Sequence, residues 1–134
     1  MISPRQVVVV DDSRAMRKLM TRMIGSMGFS TLEADNGQHA LDVIEAAIES
    51  GPPDVVMADW NMPEMNGLEL VRHLRADARL DGVRILMVTS ESEIDRIEEA
   101  LVSGADEYLM KPFDKEALAE KLVLLGCLGE GIDE

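Results

Sequence analysis

The sequence has one cysteine, Cys127, and only 13 lysines and arginines against 26 aspartates and glutamates. A lone cysteine excludes an internal disulfide, and nothing else in the chain suggests a secreted scaffold. The shortage of basic residues leaves a formal net charge of −13. A surface of that sign repels the phosphates of nucleic acids and of anionic lipids, so neither is expected as a partner. Basic protein faces and metal cations are expected instead. The stretch from Met1 to Gln6 is short and polar, and no apolar run approaches membrane-spanning length, so neither a signal peptide nor an anchor is expected. What is present is globular material: 46% apolar and 29% charged residues in 134, enough for one cored domain and cramped for two. The chain reads as a single cytoplasmic domain and a monomer, with its core over about residues 6–125 and an acidic, glycine-containing tail over 126–134.

Short apolar runs alternate with helical patterns. Val7 to Val10 is β-branched throughout, as a strand buried on both faces requires. Met16, Leu19, Met20, Met23 and Met27 then recur at helical steps, with Ser13 as the cap and Gly28 as the stop. Thr31 to Ala34 is the second strand, Asp35-Asn36-Gly37 a turn, and Gln38 to Ser50 the second helix, broken by Gly51-Pro52-Pro53. Asp54 to Ala58 is the third strand, and Asn66 with Glu69 forms a capping box for the third helix. Val83 to Val88 is the fourth strand, and Ile94, Ile97 and Leu101 mark the fourth helix, which Gly104 ends. Glu107 to Met110 is the fifth strand, and Asp114 to Leu125 the fifth helix. Cys127 onward is expected to fray. Five strand–helix units predict an α/β domain: a doubly wound parallel sheet with right-handed crossovers and helices on both faces.

Open α/β sheets gather their chemistry at the carboxyl ends of the strands. Asp11-Asp12 follow the first strand here, Asp59 and then Asn61 the third, Thr89 the fourth and Lys111 the fifth. A flavodoxin-like strand order 2-1-3-4-5 would line one crevice with all of them. Three carboxylates in one pocket repel each other, and a bound cation is one remedy. Aspartates with a backbone carbonyl are hard oxygen ligands that suit Mg²⁺. An ammonium and a hydroxyl beside them would hold the oxygens of a phosphoryl group, with the central carboxylate, Asp59, as its acceptor. Each residue alone has a plainer reading: Asp12 as a helix cap, Asp59 as a turn residue, Thr89 as a strand-end hydroxyl, Lys111 as a surface lysine. The conjunction favours the phosphoryl site. Asp35 also ends a strand, but the following Asn36-Gly37 mark it as turn chemistry.

The segments Val10-Asp11-Asp12-Ser13, Asp59-Trp60-Asn61-Met62-Pro63 with Asn66-Gly67, Thr89-Ser90 and Lys111-Pro112-Phe113 resemble the receiver domain of two-component response regulators, over roughly Val7 to Leu125. Asp59-Trp60-Asn61-Met62-Pro63 and Tyr108 to Phe113 look like its stand-alone chemotaxis members. The resemblance implies that Asp59 is the phosphoacceptor, charged by a sensor histidine kinase or a histidine phosphotransfer protein. It implies Mg²⁺ on Asp12, Asp59 and the Asn61 main-chain carbonyl, with Asp11 acting through water. It gives Thr89 and Lys111 the phosphoryl oxygens, Tyr108 the role of an aromatic switch coupled to Thr89, and a cis bond to Lys111-Pro112. Asn61 and Glu91 occupy the positions that tune the lifetime of the acyl phosphate. Such a protein is a phosphoryl carrier and switch, not a metabolic enzyme, and acts through a downstream protein, either the flagellar motor switch or a relay component.

Two features bear on partners. The fourth helix carries Glu91, Glu93, Asp95, Glu98 and Glu99 against Arg96 alone, which reads as a solvated acidic face. The first helix gathers Arg14, Arg17, Lys18 and Arg22 away from its methionines, which reads as solvated helix surface and would also suit docking of the phosphodonor. Trp60 is expected to be partly exposed and to report on the site by fluorescence. His39 and His73 are too isolated for a metal site. A haloacid-dehalogenase-type phosphatase would need a second acid where Asn61 stands. A flavodoxin-like electron carrier would need a phosphate loop where Asp11-Asp12 stand.

Overall fold

Val7 to Val10 are fully buried in the computed structural model, which describes residues 5–90 and 95–128. They belong to strand β1 (Gln6–Val10), which lies between β2 (Ser30–Ala34) and β3 (Val55–Asp59), with β4 (Arg84–Thr89) and β5 (Glu107–Met110) beyond. Every pairing is parallel and the order is β2-β1-β3-β4-β5, the doubly wound, flavodoxin-like arrangement expected. Val10 pairs with both Ala34 and Ala58, Asp59 with Val88, and Thr89 with Met110. That register brings the carboxyl ends of the strands to one edge of the sheet.

The helices are α1 (Arg14–Ser26), α2 (Gly37–Ala47), α3 (Gly67–Arg75), α4 (Ile97–Ser103) and α5 (Lys115–Leu124). Met20 and Ile24 of α1 and Leu118 and Leu122 of α5 pack on one face of the sheet, against Val7, Val9, Met57 and Val88. Ala40 and Ile44 of α2, Leu70 and Leu74 of α3 and Ala100 of α4 pack on the other, against Val8, Val56 and Ile85. Full burial of each larger aliphatic side chain contributes about 1.5–3 kcal/mol relative to exposure. The caps follow the local chemistry. The Ser13 side chain accepts from the Met16 N–H, and Asn66 and Glu69 close a reciprocal capping box on α3.

Four details depart from the expected pattern. Leu19 is 48% exposed, because Met20 and Ile24 define the buried face and Leu19 lies about 100° round the helix from Met20. Leu101 is also exposed, since α4 faces inward through Ile97 and Ala100. Trp60, expected to reach solvent, is only 2% exposed: its indole joins the core on the α2–α4 side, and the Arg96 guanidinium lies 5.9 Å from its ring centre. Cys127 is not frayed. Gly126 adopts φ 77°, the chain folds back, and the Cys127 N–H bonds the Leu122 carbonyl at 2.9 Å. Its thiol is buried against the α1–α5 core, and burial pushes its pKa up. The readings on Glu91, Glu93 and Ile94, and on the last six residues of the tail, lie outside the described residues.

Candidate functional site

The site begins with the β1–α1 turn. Asp11 is buried, although its carboxylate is an expensive group to desolvate, and its partners explain why. Its Oδ1 accepts from the Ser13 N–H at 2.8 Å, and its Oδ2 lies 3.3 Å from the Lys111 ammonium. Asp12 is exposed. With Ser13 capping α1, Asp12 is not the cap.

Asp59, the last residue of β3, is buried at the same edge. Its Oδ1 accepts from the Trp60 N–H at 2.9 Å and stands 3.5 Å from Lys111 Nζ. Carboxylate oxygens of Asp11, Asp12 and Asp59 all lie within 4.8 Å of one another. Lys111 supplies one positive charge to this cluster and ion-pairs with both buried members. At such separations like charges repel strongly in a partly desolvated pocket. Three hard oxygen donors within 4.8 Å of one another fit a small divalent cation of the Mg²⁺ kind, which would neutralise them and keep waters of its own.

Lys111 is held by its backbone as well: its N–H donates to the Thr89 carbonyl at 2.7 Å, and the Lys111–Pro112 bond is cis. Thr89 is fully buried, and its hydroxyl donates to the Ser90 carbonyl at 3.2 Å. Asn61 follows Trp60 in the β3–α3 loop and is exposed. Tyr108 is half-buried on β5, packed on the α2–α4 side of the sheet. Asp35 follows the edge strand β2 and, among the described residues, its side chain bonds its neighbours Asn36 and His39, as turn chemistry requires.

For three supporting residues the sequence did not disclose the contacts they make. Gly67 opens α3 with its N–H on the Trp60 carbonyl at 2.9 Å, and a Cβ there would lie 2.6 Å from the Asp59 carbonyl oxygen. The helix can approach β3 this closely only through glycine. Gly37 similarly admits Met65: its N–H bonds the Met65 carbonyl at 3.2 Å, joining the β2–α2 turn to the β3–α3 loop. Arg17, read as solvated helix surface, instead reaches back to the Asp11 carbonyl at 2.8 Å and to Glu33 at 3.1 Å. Lys18 also pairs with Glu33, at 2.9 Å. Of the four basic residues on α1, Arg14 and Arg22 remain as exposed cations with no ion pair among the described residues.

A buried strand-end carboxylate, two further acids, a lysine and a buried threonine at one edge of a 2-1-3-4-5 sheet define a class of site, and comparison with known proteins gives its family. The model of the response regulator receiver domain matches residues 7–123, and the chain belongs to that family. It is 41% identical to the chemotaxis protein CheY of Pseudomonas aeruginosa over 118 residues, covering 87% of this chain and 92% of that one. Against the chemotaxis protein CheY1 of Helicobacter pylori it is 39% identical over 123 residues, covering 90% and 97%. A structure of Vibrio cholerae CheY4 superposes with a TM-score of 0.83 at 31% identity, over 92% of this chain and 99% of that one. Within the receiver family this is a response regulator of the CheY type. CheY-like receiver domains are signalling proteins. No helix of the described residues is long and apolar enough to cross a membrane.

Proposed function

We propose that the chain acts as a cytoplasmic response regulator that takes a phosphoryl group onto Asp59 from a phosphohistidine and passes the signal on by protein contact, in chemotaxis. The observation that carries this reading is the convergence of Asp11, Asp12, Asp59, Thr89 and Lys111 at one sheet edge. A carboxylate oxygen of Asp59 attacks phosphorus, the donor's P–N bond breaks, and the departing imidazole takes up a proton. Lys111 and the Thr89 hydroxyl hold the phosphoryl oxygens as charge develops on them. Asp12, Asp59 and the Asn61 main-chain carbonyl would hold Mg²⁺, with Asp11 acting through water, and the ion would neutralise the acid cluster and the incoming phosphoryl oxygens. Asn61 and Glu91 set the lifetime of the acyl phosphate, and Tyr108 follows Thr89 as the switch.

The donor is a sensor histidine kinase or a histidine phosphotransfer protein. Arg14 and Arg22 are the α1 cations available to dock it, because Arg17 and Lys18 are engaged with Glu33. The downstream partner is the flagellar motor switch, as the chemotaxis relatives suggest. Trp60, the single tryptophan, is bonded through its backbone N–H to the Asp59 carboxylate and is a built-in reporter. Its fluorescence should change on adding Mg²⁺ and again on adding acetyl phosphate. An Asp59→Asn chain should lose the second change, and retention of that change at full size would overturn the assignment.

A further inference from the structure

β5 is the outer strand of the sheet, and the Tyr108 N–H is met by the Glu107 carboxylate, whose Oε1 accepts it at 3.0 Å. The same oxygen accepts from Lys121 Nζ on α5 at 3.0 Å. That ammonium also lies 4.7 Å from the centre of the Tyr108 ring, well inside cation–π range. The three residues thus form a closed unit of ion pair, backbone bond and ring contact. Both charged side chains are three-quarters shielded from solvent, Glu107 at 24% and Lys121 at 25% exposure, so the contact is less screened than an open surface pair.

The position of the ring follows from the topology. Tyr108 packs with the α2–α4 side of the sheet, whereas α5 packs on the opposite side through Leu118 and Leu122. Lys121 can touch the ring only by reaching round the outer edge of β5. A ring turned inward toward Thr89, on the neighbouring strand, leaves that edge and the ammonium with it.

We propose that Lys121, fixed by Glu107, is a positioning residue that holds the Tyr108 ring at the outer edge of the sheet and opposes its inward turn. This rests on the switch role proposed above for Tyr108 and names the element that sets its resting position. One cation–π contact at a partly exposed site corresponds to a population shift of about two- to five-fold.

The chain has a single tyrosine, so biosynthetic 3-fluorotyrosine gives one ¹⁹F resonance to follow by NMR. Its two reference positions are the native chain alone and the native chain with Mg²⁺ and acetyl phosphate. Lys121→Met, which keeps the stem and removes the cation, should move the resting resonance along the line toward the phosphorylated position by the two- to five-fold shift. Glu107→Gln keeps an acceptor for the Tyr108 N–H but releases the ammonium, and should move it in the same direction. Lys121→Arg should restore the native position. An unmoved resonance in Lys121→Met, or equal movement in Lys121→Met and Lys121→Arg, would overturn the proposal. If Asp59 is phosphorylated and the native resonance stays in place, the switch role of Tyr108 fails and this proposal falls with it. If the native resonance moves and Lys121→Met matches the native chain throughout, the role of Lys121 alone fails.

Discussion

Arg17 of α1 donates to acceptors on two other parts of the chain. It sits off the methionine stripe of α1, where a long cation ordinarily waves in solvent. Here its guanidinium bonds both the Asp11 carbonyl and the Glu33 carboxylate, so it ties the turn carrying two of the three acids to strand β2. A planar fork can reach both acceptors at once, and an ammonium cannot. Arg17→Met should therefore destabilise the fold by about 1–3 kcal/mol, the cost of leaving those acceptors without their charged donor. Arg17→Lys should recover less than half of that loss in urea unfolding, and full recovery would show that charge alone matters. The acids were legible in the sequence because they stand at the carboxyl ends of apolar runs. Arg17 was not, since its partners lie on another strand and in a turn whose geometry only folding brings within reach. Trp60 was misjudged for a related reason: its neighbour Asp59 is polar, but the backbone turns the indole into the core.

Among the elements, the approach of α3 to β3 decides how Asp59 is presented. Gly67 starts the helix, and a methyl group there would meet the Asp59 carbonyl oxygen at 2.6 Å and the Met87 Cε at 2.7 Å. The methionine end can give way; the backbone of β3 cannot without moving Asp59. Gly67→Ala should cost about 1–3 kcal/mol as overpacking and should slow phosphorylation by acetyl phosphate. Gly25→Ala is the matched control. It lies within α1 with nothing near the added methyl group, so it should stabilise by about 0.5–1 kcal/mol and leave the phosphorylation rate unchanged. Equal effects of the two substitutions in thermal unfolding and in rate would refute a close-approach role for Gly67. Strand and helix identities were readable because β-branched runs and three- and four-residue stripes have distinct periods. The strand order was not written in any one element. It follows from how right-handed crossovers pack, and the resemblance of the strand-end motifs made it expected.

At the scale of the whole molecule, the charge of −13 separates into parts with different consequences. Asp11, Asp12 and Asp59 crowd together at the site, where Asp11 and Asp59 share Lys111, whereas Glu33 and Glu107 pair with lysines and an arginine away from it and stabilise the fold. The hydrogen bond from Lys18 is the largest influence on Glu33 and, with Arg17, outweighs burial to lower its pKa. For Glu107 burial is the largest single influence and acts upward, but the Tyr108 N–H and Lys121 together prevail and lower it too. A carboxylate whose folded pKa lies below its ordinary 4.5 contributes its full stability above that value and loses it as pH falls through the folded pKa. Glu33→Gln should thus be less stable than the native chain at neutral pH and should converge with it in urea midpoint as pH drops below 4.5. A constant gap across that range would contradict the pairing. The central claim concerns the other acids. It is tested most directly by Phos-tag electrophoresis of the native chain and of Asp59→Asn after incubation with acetyl phosphate, with Mg²⁺ and with a chelator. One retarded band in the native chain, present with Mg²⁺ and lost both with the chelator and in Asp59→Asn, is the predicted result. A retarded band of equal strength in Asp59→Asn, or none in the native chain with Mg²⁺, would contradict it.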